Sequence, residues 1–213
     1  MPDMHPLHTA ILNGKATDAV AITREALAAG ADPMDLVTQH MIPAMDEVGR
    51  LFECEEYFVP ELLLAGRAMK GALEIIRPLL TARGEVSAGR VVIGTVKGDL
   101  HDIGKNLVAS MLEGGGFQVI DLGADVSPDR FIAAIKDNNA NIVCLSALLT
   151  VTMPGMRTTI QALRDAGVRD RVRVLVGGAP VTRQFASDIG ADGYSESAVG
   201  AVALARQFTA AVA

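Results

Sequence analysis

The sequence has no tryptophan, and aromatic residues make up only 4% of its 213 positions. Alanine, valine, leucine and isoleucine must therefore fill the hydrophobic cores, since 50% of the residues are hydrophobic. Only two cysteines occur, Cys54 and Cys144, and they fall in different predicted domains. A disulfide is not expected, and the composition fits the reducing cytoplasm.

Blocks of like charge and long apolar runs are also missing. The formal net charge is −6 and lacks a basic block, which argues against a nucleic-acid partner. Apolar stretches stay shorter than the roughly 18–20 residues that a membrane helix needs, so no membrane association is expected. The N-terminus carries Asp3 and Pro6 and does not resemble a signal peptide. These features predict a cytoplasmic protein that is α-rich or α/β.

Residues 1–82 show helical periodicity only. The pattern predicts helices at 7–12, 17–29, 33–51 and 61–80. Asp32 is expected to cap the third helix, with Pro33 at its first position. Short loops join the four helices, which predicts a small antiparallel bundle. The polar, glycine-containing stretch that follows predicts a helical domain at 1–82, a linker at 83–89 and a second domain at 90–213.

After the linker, strands and helices alternate. The predicted strands lie at 90–95, 117–122, 141–146, 173–176 and 193–194. This alternation predicts an α/β domain, a Rossmann- or flavodoxin-like, five-stranded, parallel, doubly wound sheet with helices on both faces. In the strand order 2-1-3-4-5, the loops after strands 1, 3 and 4 gather at one edge, where such sheets bind ligands.

Two familiar glycine motifs do not fit the turn after the first strand. A phosphate-binding P-loop requires four residues between its glycines, but five separate Gly98 from Gly104, and Asn106 follows Lys105. The dinucleotide fingerprint requires a glycine run at the start of a helix, whereas residues 114–116 end one. Nucleotide binding through either motif is therefore not supported.

His101 is the unusual residue of this turn, although a loop histidine is most often simply exposed. Asp99 lies two residues away and can accept a hydrogen bond from one ring nitrogen, which leaves the other free to bind a metal. A zinc site needs three or four protein ligands, and His5, His8 and His40 are not placed to join. A single histidine ligand suggests a metal that brings its other ligands in a macrocycle.

Three motifs at these positions resemble the signature of cobalamin-binding domains: Asp99-x-His101-x-x-Gly104, Ser146-x-Leu148 and Gly177-Gly178. The run from Gly94 to Asn106 is similar to the corresponding run of cobalamin-dependent methionine synthase. Segments 43–49 and 58–61 resemble the helical cap of that enzyme. A chain built of these two modules resembles the small corrinoid proteins of methyltransferase systems.

The resemblance implies a role for each motif. His101 would be the lower axial ligand of cobalt, with the nucleotide tail displaced into the protein (base-off, His-on). Asp99 would orient His101, and Thr152 stands where the family has a serine that completes this triad. The remaining implied cofactor contacts are Gly98, Leu100, Asp102, Ile103 and Gly104 of the turn, and Ser146, Leu148, Thr150, Gly177 and Gly178 along the tail.

An aromatic, acidic stretch separates the third and fourth predicted helices. It holds Phe52, Tyr57 and Phe58, three of the eight aromatic residues of the chain. These side chains could plug the end of the bundle or form an apolar lid over a flat ligand. The resemblance favours the lid, because Phe52 matches the cap aromatic over the upper cobalt face and Val59 stands where an aliphatic residue shields the same face.

The resemblance implies a cofactor-carrying component of a methyltransferase system rather than a complete enzyme. Its cofactor would be cobalamin, cycling between cob(I)alamin and methylcobalamin. Its partners would be a substrate-specific methyltransferase, a second methyltransferase serving a tetrahydrofolate- or thiol-type acceptor, and a reductive activator. The alternatives are a cobalamin-dependent sensor, a mutase small subunit and a flavodoxin-like signalling domain without cobalamin.

Overall fold

The computed structural model describes residues 5–82 and 89–210. Contacts between Cα atoms divide the chain into two units, 1–87 with 113–116 and 88–112 with 117–213. Of the predicted linker 83–89, residues 83–88 lie outside the described residues, and the predicted domain bounds stay predictions. Within the described ranges, no helix has both the length and the apolar character needed to cross a membrane.

The first unit is helical. Its elements are α1 (Pro6–Leu12), α2 (Ala16–Ala28), α3 (Pro33–Asp35), a π-helical segment (Leu36–Met41), α4 (Ile42–Glu53) and α5 (Val59–Ala82). Since α3, the π-helical segment and α4 follow one another without a break, they correspond to the third predicted helix, and the four predicted helices are confirmed. The π-helical turn was not predicted, because periodicity does not distinguish it from an α-helix.

Local chemistry explains how the third helix begins. The side chain of Asp32 accepts hydrogen bonds from the backbone N–H of Met34 (2.8 Å) and Asp35 (3.2 Å), and Pro33 takes the first helical position. The helices pack around fully buried apolar side chains, each contributing roughly 1.5–3 kcal/mol. The largest of these are Leu7, Ile11, Met41, Leu62, Met69 and Ile76.

The second unit is an α/β sheet. Its strands are β1 (Arg90–Thr95), β2 (Gln118–Asp121), β3 (Ile142–Ser146), β4 (Arg173–Gly177) and β5 (Gly193–Tyr194). All pairs are parallel and the order is β2-β1-β3-β4-β5, so the predicted topology is confirmed. The helices are α6 (Ile103–Gly114), α7 (Pro128–Asn138), α8 (Pro154–Asp165), α9 (Arg183–Ile189) and α10 (Ala198–Ala210).

The start of α6 differs from the prediction. The sequence pattern placed the first helical residue at Asn106, but the helix begins three residues earlier, at Ile103. The backbone N–H of Asn106 donates to the carbonyl oxygen of Asp102 (2.7 Å), which closes the first turn. Gly104 hides this turn from sequence analysis because glycine is a poor helix former.

Candidate functional site

Three loops leave the sheet side by side. In the parallel register, Thr95 at the end of β1 is paired with Ser146 at the end of β3, and Ser146 is paired with Gly177 at the end of β4. The segments that follow these residues therefore start from one edge, as the predicted strand order requires. This edge is where open α/β sheets bind ligands.

Asp99 is the centre of the polar network at this edge. Its fully buried carboxylate lies 2.8 Å from Nδ1 of His101 through Oδ1, which also accepts the backbone N–H of His101 (3.0 Å). Oδ2 accepts the backbone N–H of Leu148 (2.7 Å) and the hydroxyl of Thr152 (2.7 Å). The structure thus brings the predicted triad of Asp99, His101 and Thr152 together.

The charge of Asp99 determines the form of the imidazole. Burial alone would raise the pKa of Asp99, but hydrogen bonds from Thr152, Leu148 and His101 outweigh it and hold this pKa well below its usual range. Asp99 is therefore ionised at neutral pH and can only accept hydrogen bonds. In the neutral imidazole of His101, the proton that Asp99 accepts therefore lies on Nδ1 and the lone pair is on Nε2.

The backbone of His101 is fixed while its ring stays accessible. The hydroxyl of Thr95, a buried residue, donates to the carbonyl oxygen of His101 (2.9 Å). The His101 side chain is nevertheless 51% exposed. An anchored backbone and an exposed ring with one free nitrogen suit a ligand that approaches from outside the fold.

The two loops that carry the triad also expose large apolar side chains. Leu100 in the first loop is 76% exposed, Ile103 at the start of α6 is 81% exposed, and Val151 in the second loop is 81% exposed. Exposed apolar side chains are unfavourable in water, and several of them on loops that leave one sheet edge indicate a covering ligand or partner. One nitrogen donor on a loop with exposed apolar side chains fits a flat metal macrocycle that supplies its own equatorial ligands.

Glycines in these loops have two different explanations. Gly98 has a φ of +85°, which favours glycine, but a Cβ at Gly98 or Gly104 would meet no atom within 4 Å. Space above Gly104 is thus open for a bulky group. A Cβ at Gly178 would instead overlap the carbonyl oxygen of Ala147, and one at Gly177 would lie 3.2 Å from the carbonyl oxygen of Ser195. The fold therefore requires glycine at 178, and a side chain at 177 would be closely packed.

The other predicted contacts are distributed as follows. In the α/β unit, Ser146 is half-buried, whereas Leu148 and Thr150 are exposed in the loop after β3, and Asp102 precedes α6. Phe52 and Val59 lie in the helical unit, and both are helical rather than in a loop, Phe52 near the end of α4 and Val59 at the start of α5. Their role as a lid stays a prediction.

The stretch between α4 and α5 has both apolar and anchoring features. The Tyr57 hydroxyl donates to the carbonyl oxygen of Leu12 (3.3 Å), so Tyr57 ties this stretch to the end of α1. Phe58, in contrast, is 61% exposed. Tyr57 is thus anchored to the bundle and Phe58 is exposed, and both roles of this stretch, a plug of the bundle or a lid over a ligand, stay predictions.

Sequence reasoning missed two residues of the network. Thr95 was predicted only as the end of a strand, and Asp125 was not singled out, although its carboxylate accepts the backbone N–H of Gly98 (2.7 Å). The only available signal for Asp125 was its place in the loop after a predicted strand. Neither position could be linked to the site before the strand order was known.

Comparison with known proteins agrees with this geometry. A family model described as a B12 binding domain matches residues 89–203, and a second model, also described as a B12 binding domain, matches residues 4–77. The chain is 46% identical to trimethylamine corrinoid protein 2 of Methanosarcina mazei, over 87% of this chain and 86% of that protein. It is 42% identical to dimethylamine corrinoid protein 1 of Methanosarcina acetivorans, over 91% of each.

Solved structures with the same fold include corrinoid proteins. The methanol:cobalamin methyltransferase complex MtaBC from Methanosarcina barkeri matches with a TM-score of 0.84 and 30% identity, covering 96% of this chain and 78% of that one. A cobalamin-binding protein from Desulfitobacterium hafniense matches with a TM-score of 0.79 and 31% identity, covering 98% and 99%. The chain therefore belongs to the B12-binding family, as a small corrinoid protein of methyltransferase systems with cobalamin as its cofactor.

Proposed function

We propose that this protein is a corrinoid methyl carrier that binds cobalamin base-off/His-on through His101. It would shuttle a methyl group between a substrate-specific methyltransferase and a second methyltransferase. The observation that carries the proposal is the 2.8 Å contact between Nδ1 of His101 and the buried carboxylate of Asp99, which leaves Nε2 as the metal-binding nitrogen. When bound, the corrinoid supplies a cobalt centre that accepts and releases the methyl group.

The chain's own residues set the strength of the histidine ligand. Asp99 holds the proton on Nδ1 and increases the basicity of Nε2. Thr152 keeps Asp99 ionised by donating its hydroxyl to Oδ2 (2.7 Å). Gly98, Leu100, Asp102, Ile103 and Gly104 would contact the corrin ring from below.

The remaining predicted residues would bind the tail and shield the reactive face. Ser146, Leu148 and Thr150 would line the path of the nucleotide tail, with Gly177 and Gly178 against it. The exposed hydroxyl of Thr150 and the half-buried one of Ser146 offer hydrogen bonds to polar groups of the tail. Phe52 and Val59 would shield the cobalt face where the methyl group is exchanged.

The relatives support the donor side of the proposed partners. A methylated amine is the first candidate for the methyl donor, because relatives with 42% and 46% identity are dimethylamine and trimethylamine corrinoid proteins. The second methyltransferase would serve a tetrahydrofolate- or thiol-type acceptor, and a reductive activator would restore the reduced cofactor. A panel of methylamines and methanol, each with its own methyltransferase, tests the donor; transfer from methanol alone would contradict this assignment.

The histidine ligand is tested directly by spectroscopy. The apoprotein is loaded with hydroxocobalamin, reduced to cobalt(II), and examined by electron paramagnetic resonance. The wild-type protein is expected to show coupling to a histidine nitrogen, and His101→Ala should lose it. His8→Ala, a change in the helical unit, should keep it. Tail-base ligation in the wild type, or an unchanged signal in His101→Ala, would refute base-off/His-on binding.

A further inference from the structure

The segment that follows β2 is hydrogen-bonded to the last residues of β1, just before the His101 loop (residues 96–102) begins. The strand itself ends at Asp121, but three backbone hydrogen bonds continue its pairing with β1. Leu122 donates to Ile93 (2.8 Å), Thr95 donates to Gly123 (3.0 Å), and Val126 donates to Thr95 (2.9 Å). This segment, 122–126, contains none of the predicted cofactor contacts, so its extended pairing calls for another explanation.

Asp125 contacts the His101 loop twice. Its backbone N–H donates to the carbonyl oxygen of Asp99 (3.0 Å), and its carboxylate Oδ1 accepts the backbone N–H of Gly98 (2.7 Å). Asp125 has a φ of +53°, and Gly98 has a φ of +85°. A left-handed backbone is uncommon outside glycine but is tolerated by Asp and Asn. One hydrogen bond thus joins Asp125 to Gly98, and a second joins Asp125 to Asp99.

These contacts fix the backbone of Asp99, whose carboxylate belongs to the triad. The backbone N–H of Asp99 donates to the carbonyl oxygen of Val96 (3.1 Å), and its own carbonyl oxygen accepts from Asp125. Both ends of the Asp99 residue are therefore held. Since Oδ1 of Asp99 lies 2.8 Å from Nδ1 of His101, any shift of this backbone moves the partner of the ligating ring.

A second contact holds the first turn of α6, which follows the loop. The side chain of Lys105, only 1% exposed, lies 2.5 Å from Oδ2 of Asp121, the last residue of β2. Oδ1 of Asp121 accepts the backbone N–H of Gly123 (2.8 Å), which connects this ion pair to the segment 122–126. The segment from Gly98 to Lys105, which comprises the loop and the first turn of α6, is thus held at both ends by residues of one neighbouring stretch.

We propose that Asp125 is a positioning residue for the cobalt ligand, acting through Gly98 and Asp99 on the orientation of His101. This inference rests on the proposed ligation by His101. Asp125 itself contacts neither His101 nor the cofactor in the proposed arrangement. Its carboxylate holds the N–H of Gly98 and its backbone N–H holds the carbonyl oxygen of Asp99, so that the His101 ring meets the metal in one orientation.

Three substitutions separate the side-chain hydrogen bond from the backbone conformation. Asp125→Asn keeps an oxygen acceptor and tolerates a positive φ. Asp125→Gly also permits the positive φ but removes the acceptor, and Asp125→Ala loses both. Asp129→Ala, at an exposed position in the first turn of α7, serves as the matched control.

The first measurement uses the apoprotein. Amide hydrogen exchange at Gly98 should become about tenfold faster in Asp125→Gly and Asp125→Ala, because the amide loses its acceptor, and should change little in Asp125→Asn. Exchange at Val92, in the centre of β1, should stay unchanged in all variants and reports intact folding. Wild-type exchange at Gly98 in Asp125→Gly would overturn the proposal.

The second measurement uses the cobalt(II)-loaded protein. The fraction showing histidine coupling, and the affinity for cobalamin, should fall about tenfold in Asp125→Gly and Asp125→Ala and stay within about twofold in Asp125→Asn and Asp129→Ala. Wild-type behaviour of Asp125→Gly, with loss only in Asp125→Ala, would show that backbone conformation alone matters and would refute the positioning role. A wild-type protein without histidine coupling would refute the proposed function and, with it, this role.

Discussion

The hydroxyl of Thr152 donates a 2.7 Å hydrogen bond to Oδ2 of Asp99, a residue that lies 53 positions earlier in the chain. The same hydroxyl lies 2.8 Å from the carbonyl oxygen of Leu149, so its one proton has two acceptors. Thr152 is buried, and the carboxylate of Asp99 is fully buried. The loop after β3 therefore stabilises the negative charge that orients His101, which is carried by the loop after β1.

The first prediction concerns the Thr152 hydroxyl. Thr152→Val keeps the shape but leaves Oδ2 of Asp99 with one donor fewer, so we expect a loss of about 1–2 kcal/mol in the free energy of unfolding and a higher pKa for Asp99. Thr152→Ser retains the hydroxyl and should behave as the wild type. Urea unfolding and an NMR titration of the Asp99 carboxyl carbon measure the two effects. Equal pKa values in Thr152→Val and the wild type would contradict the role assigned to the hydroxyl.

The second prediction concerns acid. The pKa of Asp99 is lower in the folded protein than in the unfolded chain, so its stabilisation is present above the unfolded value of about 4 and is lost as the pH falls below it. Asp99→Asn should cost about 1–3 kcal/mol at pH 7, since buried donors lose a charged acceptor. It should also reduce the decline in stability below about pH 4. Unfolding curves of both proteins between pH 3 and 7 test this, with exposed Asp129→Asn as the control.

The third prediction concerns the histidines of the helical unit. The rings of His5 and His40 stack with centroids 3.9 Å apart. Burial, followed by the proximity of His5 and His8, lowers the pKa of His40, against a smaller opposing effect of Asp35. Because the pKa of His40 is lower in the folded protein than in the unfolded chain, its contribution to the free energy of unfolding is fully present above the unfolded pKa of about 6.5. This contribution is lost as the pH falls through the folded pKa.

The urea midpoint of the helical unit should therefore fall as the pH drops from about 7 to about 5, and His40→Gln should flatten this dependence. Tyr57 fluorescence in a Tyr194→Phe background reports on the helical unit, because these are the two tyrosines of the chain. His101→Ala, in the other unit, should leave the dependence intact. An unchanged slope in His40→Gln would exclude His40 as its source.

The fourth prediction separates folding from cofactor binding at Gly104. This residue lies in the first turn of α6, and a Cβ there would meet no atom within 4 Å. Gly104→Ala should stabilise the apoprotein by about 0.5–1 kcal/mol, because alanine is the better helix former. Cobalamin binding should nevertheless weaken if the ring lies against this turn. Thermal unfolding measures the change in stability of the apoprotein, and a spectroscopic titration measures the change in its affinity for cobalamin. Tighter binding by Gly104→Ala would show that the corrin ring does not lie against this turn.

Much of the fold could be predicted because its signals are local. The strand from Arg90 to Thr95 is a short β-branched run, and the structure confirms its bounds. The pairing of Asp99 with His101 also follows from a spacing of two residues. The predicted start of α6 was wrong because the low helix propensity of Gly104 hides the first turn. That turn is closed by a backbone hydrogen bond from Asn106 to Asp102, which the sequence pattern does not reveal.

The rest of the site depends on contacts between distant residues. From the residues alone, Thr152 could only be placed on a loop at the same sheet edge, and its role came from the family resemblance. Asp125 carried no signal beyond its place in a loop after a predicted strand, since its left-handed conformation and its bond to Gly98 arise only when the segment after β2 lies beside the loop after β1. Such tertiary contacts override local propensity and are not encoded in spacing.

The two outer strands of the sheet are its shortest, with four residues in β2 and two in β5. Each border thus presents few unpaired backbone groups to a foreign strand, which disfavours growth of the sheet by edge-to-edge association. Under the proposed function, the protein visits different methyltransferases in turn and must release each one. Short edge strands favour this release, because they disfavour strand pairing with a partner and leave binding to contacts that dissociate more readily.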